Sequence, residues 1–144
     1  MDSPLATLGV RERGWVPRLP KENGATILMV DDDAALRMLF ERYLTAFGYT
    51  PLIAEDGDEA LSIARTTPEI SLIIMDLVLP GASGPELAEQ LAGLLPEAVF
   101  LFCSGHPATA LARQGIDIKG AQFLQKPCRP PELKQRLSEM LAAR

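Results

Sequence analysis

The sequence predicts a single α/β domain with a doubly wound parallel sheet, on two observations. From Ala25 onward, short apolar runs alternate with helically spaced segments, the pattern of a parallel sheet covered by helices on both faces. Each of four such runs also ends in a polar group suited to ligand chemistry. Ala25–Val30 ends in Asp31-Asp32-Asp33, Leu72–Met75 in Asp76, Val99–Cys103 in Ser104, and Ala121–Leu124 runs into Lys126-Pro127. Open parallel sheets bind ligands outside the carboxyl ends of their strands. If these strands are neighbours, carboxylates, a hydroxyl and an ammonium meet at one point, a set that suits a divalent cation beside a phosphoryl group.

The elements follow in order. Met1–Gly24 lacks periodicity, holds Pro4, Gly9, Gly14, Pro17, Pro20 and Gly24, and is expected to be an extension or flexible linker, with the domain spanning 25–144. The lone Trp15 lies in it, either exposed or anchoring the tail to a partner. After the first strand, Leu36, Phe40, Tyr43, Leu44 and Phe47 keep helical spacing, and Gly48 is a stop signal. Pro51–Ala54 is a short second strand. Asp56-Gly57-Asp58-Glu59 has a capping-box form and opens a helix with Ala60, Leu61 and Ala64 on one face, ended by Pro68. Ser83-Gly84-Pro85-Glu86 opens another, running to about Leu95. Pro107–Gln114 is a short, weak helix and Ile116–Gly120 a loop. Pro130-Pro131-Glu132 opens the last helix, with Leu133, Leu137, Met140 and Leu141 inward. The expectation is five strands and five helices.

Composition bounds the partners. A chain of 144 residues at 47% hydrophobic can bury a real core. A net charge of -5 argues against a nucleic-acid surface, which needs a basic face. Two cysteines make no disulfide framework, and reduced thiols are expected, Cys103 as a small hydrophobe in a strand and Cys128 in a loop. Neither an apolar signal segment nor a membrane-length run is found, so a soluble cytoplasmic domain with no membrane partner is expected.

One acid suffices to cap the first helix, and Asp33 is assigned that role. Three acids directly after a buried strand are costly without a counter-ion, so Asp31 and Asp32 point to a metal. Hard oxygen ligands from few protein groups suit Mg2+, which keeps several of its waters. Asp76 alone could be a turn cap, and Lys126-Pro127 alone an ordinary surface lysine and turn proline. Their value lies in the company they keep. Pro80, Gly81, Gly84 and Pro85 make the loop after Asp76 tight.

The stretches Ile27–Asp33, Leu72–Gly81, Ser104-Gly105 and Phe123–Pro127 resemble the receiver domain of two-component response regulators, in order and at family spacing from about Ala25 to the C-terminus. The resemblance implies a flavodoxin-like (βα)5 fold with strand order 2-1-3-4-5. It also implies roles. Asp76 would be the phosphoacceptor, taking a phosphoryl group from phosphohistidine. Asp31, Asp32, Asp76 and the backbone carbonyl of Val78 would hold Mg2+, and Ser104 and Lys126 would bind phosphoryl oxygens. Phe123 would be the switch aromatic, turning inward as Ser104 moves, and the Lys126–Pro127 peptide would be cis. The partners implied are a sensor histidine kinase or a histidine phosphotransfer protein, and an effector protein. The only reactions expected of the chain are its own phosphorylation and dephosphorylation.

The charges support this independently. Asp31, Asp32 and Asp76 sum to about -3, and Mg2+ with Lys126 returns about +3, so the pocket nears neutrality only with metal bound. Phosphoryl transfer depends mainly on positioning and charge stabilisation, which these groups supply.

His106, two residues past Ser104, is read as a loop residue beside the pocket rather than a phosphohistidine. An apolar Val78 gives an attacking water little help and hints at a long-lived phosphoryl state. Cys128 and Arg129 depart from the Phe and the Thr or Ser frequent in receivers, which should weaken the start of the last helix. The segment from Ser104 to Pro127 most resembles receivers at the C-terminus of hybrid sensor kinases. Val16–Pro20 resembles the end of a kinase ATP-binding domain, which fits a receiver fragment of a hybrid kinase.

Two other classes compete with this reading. An aspartyl phosphatase of the haloacid-dehalogenase type needs a second Asp two residues after its nucleophile, where Val78 stands. A degenerate receiver serving only as a binding scaffold would not need the full set of Asp31, Asp32, Asp76, Ser104 and Lys126. No helix-turn-helix or basic patch is found, so the signal is expected to leave by protein contact. The first helix, with Leu36 and Met38, is the expected donor surface. The face of the fourth helix, fifth strand and fifth helix is the expected effector surface.

Overall fold

The computed structural model describes residues 24–76, 78–79, 82–105 and 120–143. Five parallel strands form the central sheet: β1 (Thr26–Val30), β2 (Thr50–Ala54), β3 (Ile70–Met75), β6 (Val99–Ser104) and β7 (Gln122–Gln125). Their spatial order is β2-β1-β3-β6-β7, the expected 2-1-3-4-5 arrangement of a flavodoxin-like sheet. Two short strands, β4 (Val78–Leu79) and β5 (Ala82–Ser83), pair antiparallel where only a tight loop was expected. The described helices are α1 (Ala34–Ala46), α2 (Gly57–Thr66), α3 (Gly84–Leu94) and α4 (Pro130–Ala142). The expected helix Pro107–Gln114, His106 and the segment 1–23 with Trp15 lie outside the described residues.

Each helix starts and stops for a local reason. Asp33 caps α1, its side chain accepting from the amides of Ala35 and Leu36. Gly48, at φ 97°, closes α1 in a Schellman motif: its amide donates to Thr45 and that of Tyr49 to Leu44. Asp56 accepts from the Glu59 amide, as expected of a capping box, but the Glu59 carboxylate accepts from Glu55 rather than from Asp56. Two prolines open α4, and Arg129 ahead of them makes no side-chain cap bond, as its sequence position led us to expect.

Strand alternation divides the core into two layers. Leu28, Val30, Ile73, Met75, Phe100 and Phe102 face α2 and α3, where Ala60, Ala64, Leu87, Ala88 and Leu91 meet them. Ile27, Met29, Leu72, Ile74, Leu101 and Cys103 face α1 and α4, packing on Phe40, Leu44, Leu133, Leu137, Met140 and Leu141. The apolar stripes read from α1, α2 and α4 are therefore the buried ones. β3 begins two residues before the apolar run that announced it, with a register shift between Thr26 and Ile27 that accommodates Ser71. Among the described residues no helix is long and apolar enough to cross a membrane.

Candidate functional site

The register aligns the strand ends. Val30 pairs with both Ala54 and Met75, and Met75 with Phe102. The ladder continues one residue further: the Asp31 amide donates to Ala54, and that of Asp76 to Val30. The next residue on each strand is thus still held in the sheet's alternation. Since Met29 and Ile74 face α1 and α4, Asp31 and Asp76 fall on that same side. Lys126, two residues past Leu124, falls there too, its amide donating to Ser104 at 2.7 Å.

The Lys126 Nζ donates to Asp31 Oδ2 at 2.9 Å and to Asp76 Oδ2 at 3.0 Å. One ammonium therefore bridges acids separated by 45 positions in the chain, each at the end of its own strand. Burial pulls the Lys126 pKa down, but the bonds to Asp31 and Asp76 outweigh it, and the net shift is upward. The Lys126–Pro127 peptide is cis, as expected.

Asp31 is 2% exposed. Its Oδ1 accepts from the Asp33 amide at 2.9 Å and its carbonyl from Arg37 Nη1 at 2.7 Å. The Arg37 guanidinium also lies 3.8 Å from the Glu55 carboxylate. Arg37 was not foreseen as part of the site. Its signal is geometric: a long side chain on the first turn of a helix leans back toward the preceding strand. Asp32 is exposed beside Asp31.

Ser104 is the last residue of β6 rather than the first beyond it, and is 1% exposed. It follows Cys103 and so lies on the opposite side of the sheet, with Phe102. The Phe123 ring stacks on Phe102, centroids 5.4 Å apart, and its carbonyl accepts from Arg136 Nη1. Val78 pairs with Ser83 in the small hairpin following Asp76. Asp31, Asp76 and Lys126 are thus brought into direct contact, with Ser104 joined to Lys126 through the main chain. Among the described residues, no three His, Cys, Asp or Glu side chains close into a metal cage.

With acids and a lysine gathered at the carboxyl ends of a 2-1-3-4-5 parallel sheet, the fold and site define a class. The chain belongs to the response regulator receiver domain family, which matches residues 27–138. It is a receiver domain of two-component systems, a family of signalling switches. It is 33% identical over 141 residues to the sensor kinase CckA of Brucella abortus (strain 2308), covering 97% of this chain and 15% of the kinase. It is 33% identical over 116 residues to the response regulator MprA of Mycobacterium tuberculosis, covering 80% of this chain and 50% of the regulator. The chain spans between 15% and 51% of the length of these and similar curated relatives. Among solved structures, the receiver domain of the hybrid histidine kinase CckA superposes with a TM-score of 0.70 at 37% identity, covering 81% of this chain and 98% of that domain. The chemotaxis protein CheY4 of Vibrio cholerae superposes with a TM-score of 0.73 at 25% identity, covering 81% of this chain and 98% of its own.

Proposed function

We propose that this receiver takes a phosphoryl group from a phosphohistidine onto Asp76. The observation that carries the reading is the single Lys126 ammonium shared by Asp31 and Asp76. It neutralises part of the acidic pocket and sits where an oxygen of an arriving phosphoryl group would need a counter-charge. An Asp76 carboxylate oxygen attacks phosphorus, the phosphorus–nitrogen bond breaks, and the imidazole leaves with the electron pair. Ser104 and Lys126 take the phosphoryl oxygens. Asp31, Asp32, Asp76 and the carbonyl of Val78 offer only hard oxygens and no closed cage, a donor set that fits Mg2+ with its retained waters. When bound, Mg2+ supplies charge neutralisation to the phosphoryl oxygens. Phe123, stacked on Phe102, is the aromatic that responds when Ser104 is drawn to the new anion.

The donor is a sensor histidine kinase or a histidine phosphotransfer protein. Its docking surface is α1, where Met38 and Leu39 are exposed, next to an apolar groove against Lys126–Cys128. The effector is a protein, met through the β7 and α4 face. Residues 25–144 form the receiver and 1–24 a preceding extension. The alignment to the CckA kinase covers 97% of the chain and so extends into that segment, which favours descent from a hybrid kinase.

Acetyl phosphate with Mg2+ should add one phosphoryl group to the chain by mass, and Asp76→Asn should abolish the gain. A mutant that still gains it on an acid at the normal rate overturns the assignment.

A further inference from the structure

Both cysteines lie outside the phosphotransfer chemistry. Cys103 is on the α1 and α4 side of β6, one residue before Ser104, and only 3% exposed. Cys128 follows Pro127, is half-buried, and packs against the same core layer as Cys103. The two thiols are free. Cys103 pairs in register with Leu124 and the Lys126 amide is bonded to Ser104, which brings Cys128 back against the core layer that holds Cys103, near enough for each thiol to shift the other's pKa. Their access differs. Cys128 lines a groove of about 350 Å³ together with Leu36, Leu39, Tyr43 and Lys126. Cys103 is sealed in the core.

Their chemistry differs in the same sense. The neighbouring Cys103 thiol lowers the Cys128 pKa against the effect of its burial. The neighbouring Cys128 thiol, with burial, raises that of Cys103. An accessible thiol with thiolate character reacts first with peroxides, and a neighbouring thiol resolves the product. A half-buried, groove-lining nucleophile beside a buried resolving thiol is what these two residues present.

We propose that Cys128 and Cys103 form a modification site for hydroperoxides, closing into an intramolecular disulfide in the wall of this groove. The Cys128 thiolate attacks one peroxide oxygen, the O–O bond breaks, and the departing hydroxide takes up a proton to leave as water. Cys128 is then a sulfenic acid. The Cys103 sulfur attacks Cys128 Sγ, the S–O bond breaks, and the Cys103 proton leaves with the hydroxyl as a second water. Two thiols thus lose two electrons and hydrogen peroxide is reduced to two waters. The crosslink fastens the segment after Lys126 to β6 beside Ser104.

The test treats the full chain with hydrogen peroxide, counts free thiols by alkylation, and maps the peptides by mass. Both thiols should disappear together in a monomer lighter by two hydrogens, with a Cys103–Cys128 linked peptide that dithiothreitol releases. Cys103→Ser should leave a sulfenic acid at Cys128 that dimedone traps. Cys103→Ala repeats this result should the buried hydroxyl disturb folding. Cys128→Ser should leave Cys103 unreacted. The proposal is overturned by oxidation of wild-type Cys128 with Cys103 still free, by crosslinks only between chains, or by no thiol loss at peroxide levels that oxidise free cysteine. None of these readouts involves phosphorylation, so they stand apart from the assignment of Asp76.

Discussion

The two faces of the sheet differ in what they carry at its carboxyl end. On the α1 and α4 side, the last residues are ionic: Asp31 and Asp76 held by Lys126. On the α2 and α3 side, they are a buried hydroxyl and two stacked rings, Ser104, Phe102 and Phe123. A one-residue step along a strand changes the face. Lys126 and Ser104 are joined by a 2.7 Å main-chain bond, yet belong to opposite faces. Under the proposed switch, a charge change at Asp76 would reach the far side of the sheet over its carboxyl end, by way of Ser104, without crossing the core.

The largest expected effect would remove the chemistry of the ionic face alone. With acetyl phosphate as donor, chelating Mg2+ should abolish phosphoryl gain, and Asp32→Ala should approach the same loss while the fold persists. Full phosphorylation in excess chelator would sink the metal reading and leave the counter-charge to Lys126.

The ring face is tested next, by stability. Phe102 is fully buried between Phe100 and Phe123. Phe102→Ala should cost about 3–5 kcal/mol in urea unfolding, the range for deleting a buried ring. In the phosphorylated wild type, amide shifts should extend to Ser104 and Phe123. Shifts confined to the loop after Asp76 would show that the faces do not communicate.

Much of this was legible because a buried parallel strand is a continuous apolar run. Such runs located Asp31, Asp76 and Lys126 and assigned the helical stripes to the core. Boundaries failed where a polar residue interrupts the run. Ser71 hid the first turn of pairing in β3, and Ser104, polar but buried, was placed after a strand that contains it. The hairpin of β4 and β5 has two residues per strand, too few for any periodicity. Arg37 escaped because its partner is a backbone carbonyl, which has no sequence identity. The contact of Cys103 with Cys128 depends on how β6 and β7 register and on the turn after Lys126. Neither is written in local pattern.

A smaller effect compares one helix from each side. Asp33 caps α1 with two amide bonds and Asp56 caps α2 with one. Asp33→Ala and Asp56→Ala should each lower stability by about 1 kcal/mol in urea unfolding. Asp33→Ala keeps the backbone amide that donates to Asp31 Oδ1 but loses the side-chain bonds that fix this turn, so it should in addition slow phosphorylation. Equal phosphorylation rates in the two variants would detach the cap from the site.

The smallest effect is a slope with pH. Burial opposes the charge on Lys126, and the bonds to Asp31 and Asp76 more than offset it, so the folded protein holds this proton more tightly than the unfolded chain does. The stabilisation from this linkage is complete below the unfolded lysine pKa of about 10.4 and fades as pH rises through the higher folded value. Between those two values the native state binds more protons than the unfolded state, so stability must fall with rising pH. Lys126→Met removes the titrating group and should flatten that alkaline slope, while leaving two acids without their shared partner at neutral pH. Urea unfolding of both proteins at a series of pH values from neutral into the alkaline range separates the two consequences. Identical alkaline slopes would show that the ammonium is no better held in the fold than in the unfolded chain, and the ionic face would lose its central contact.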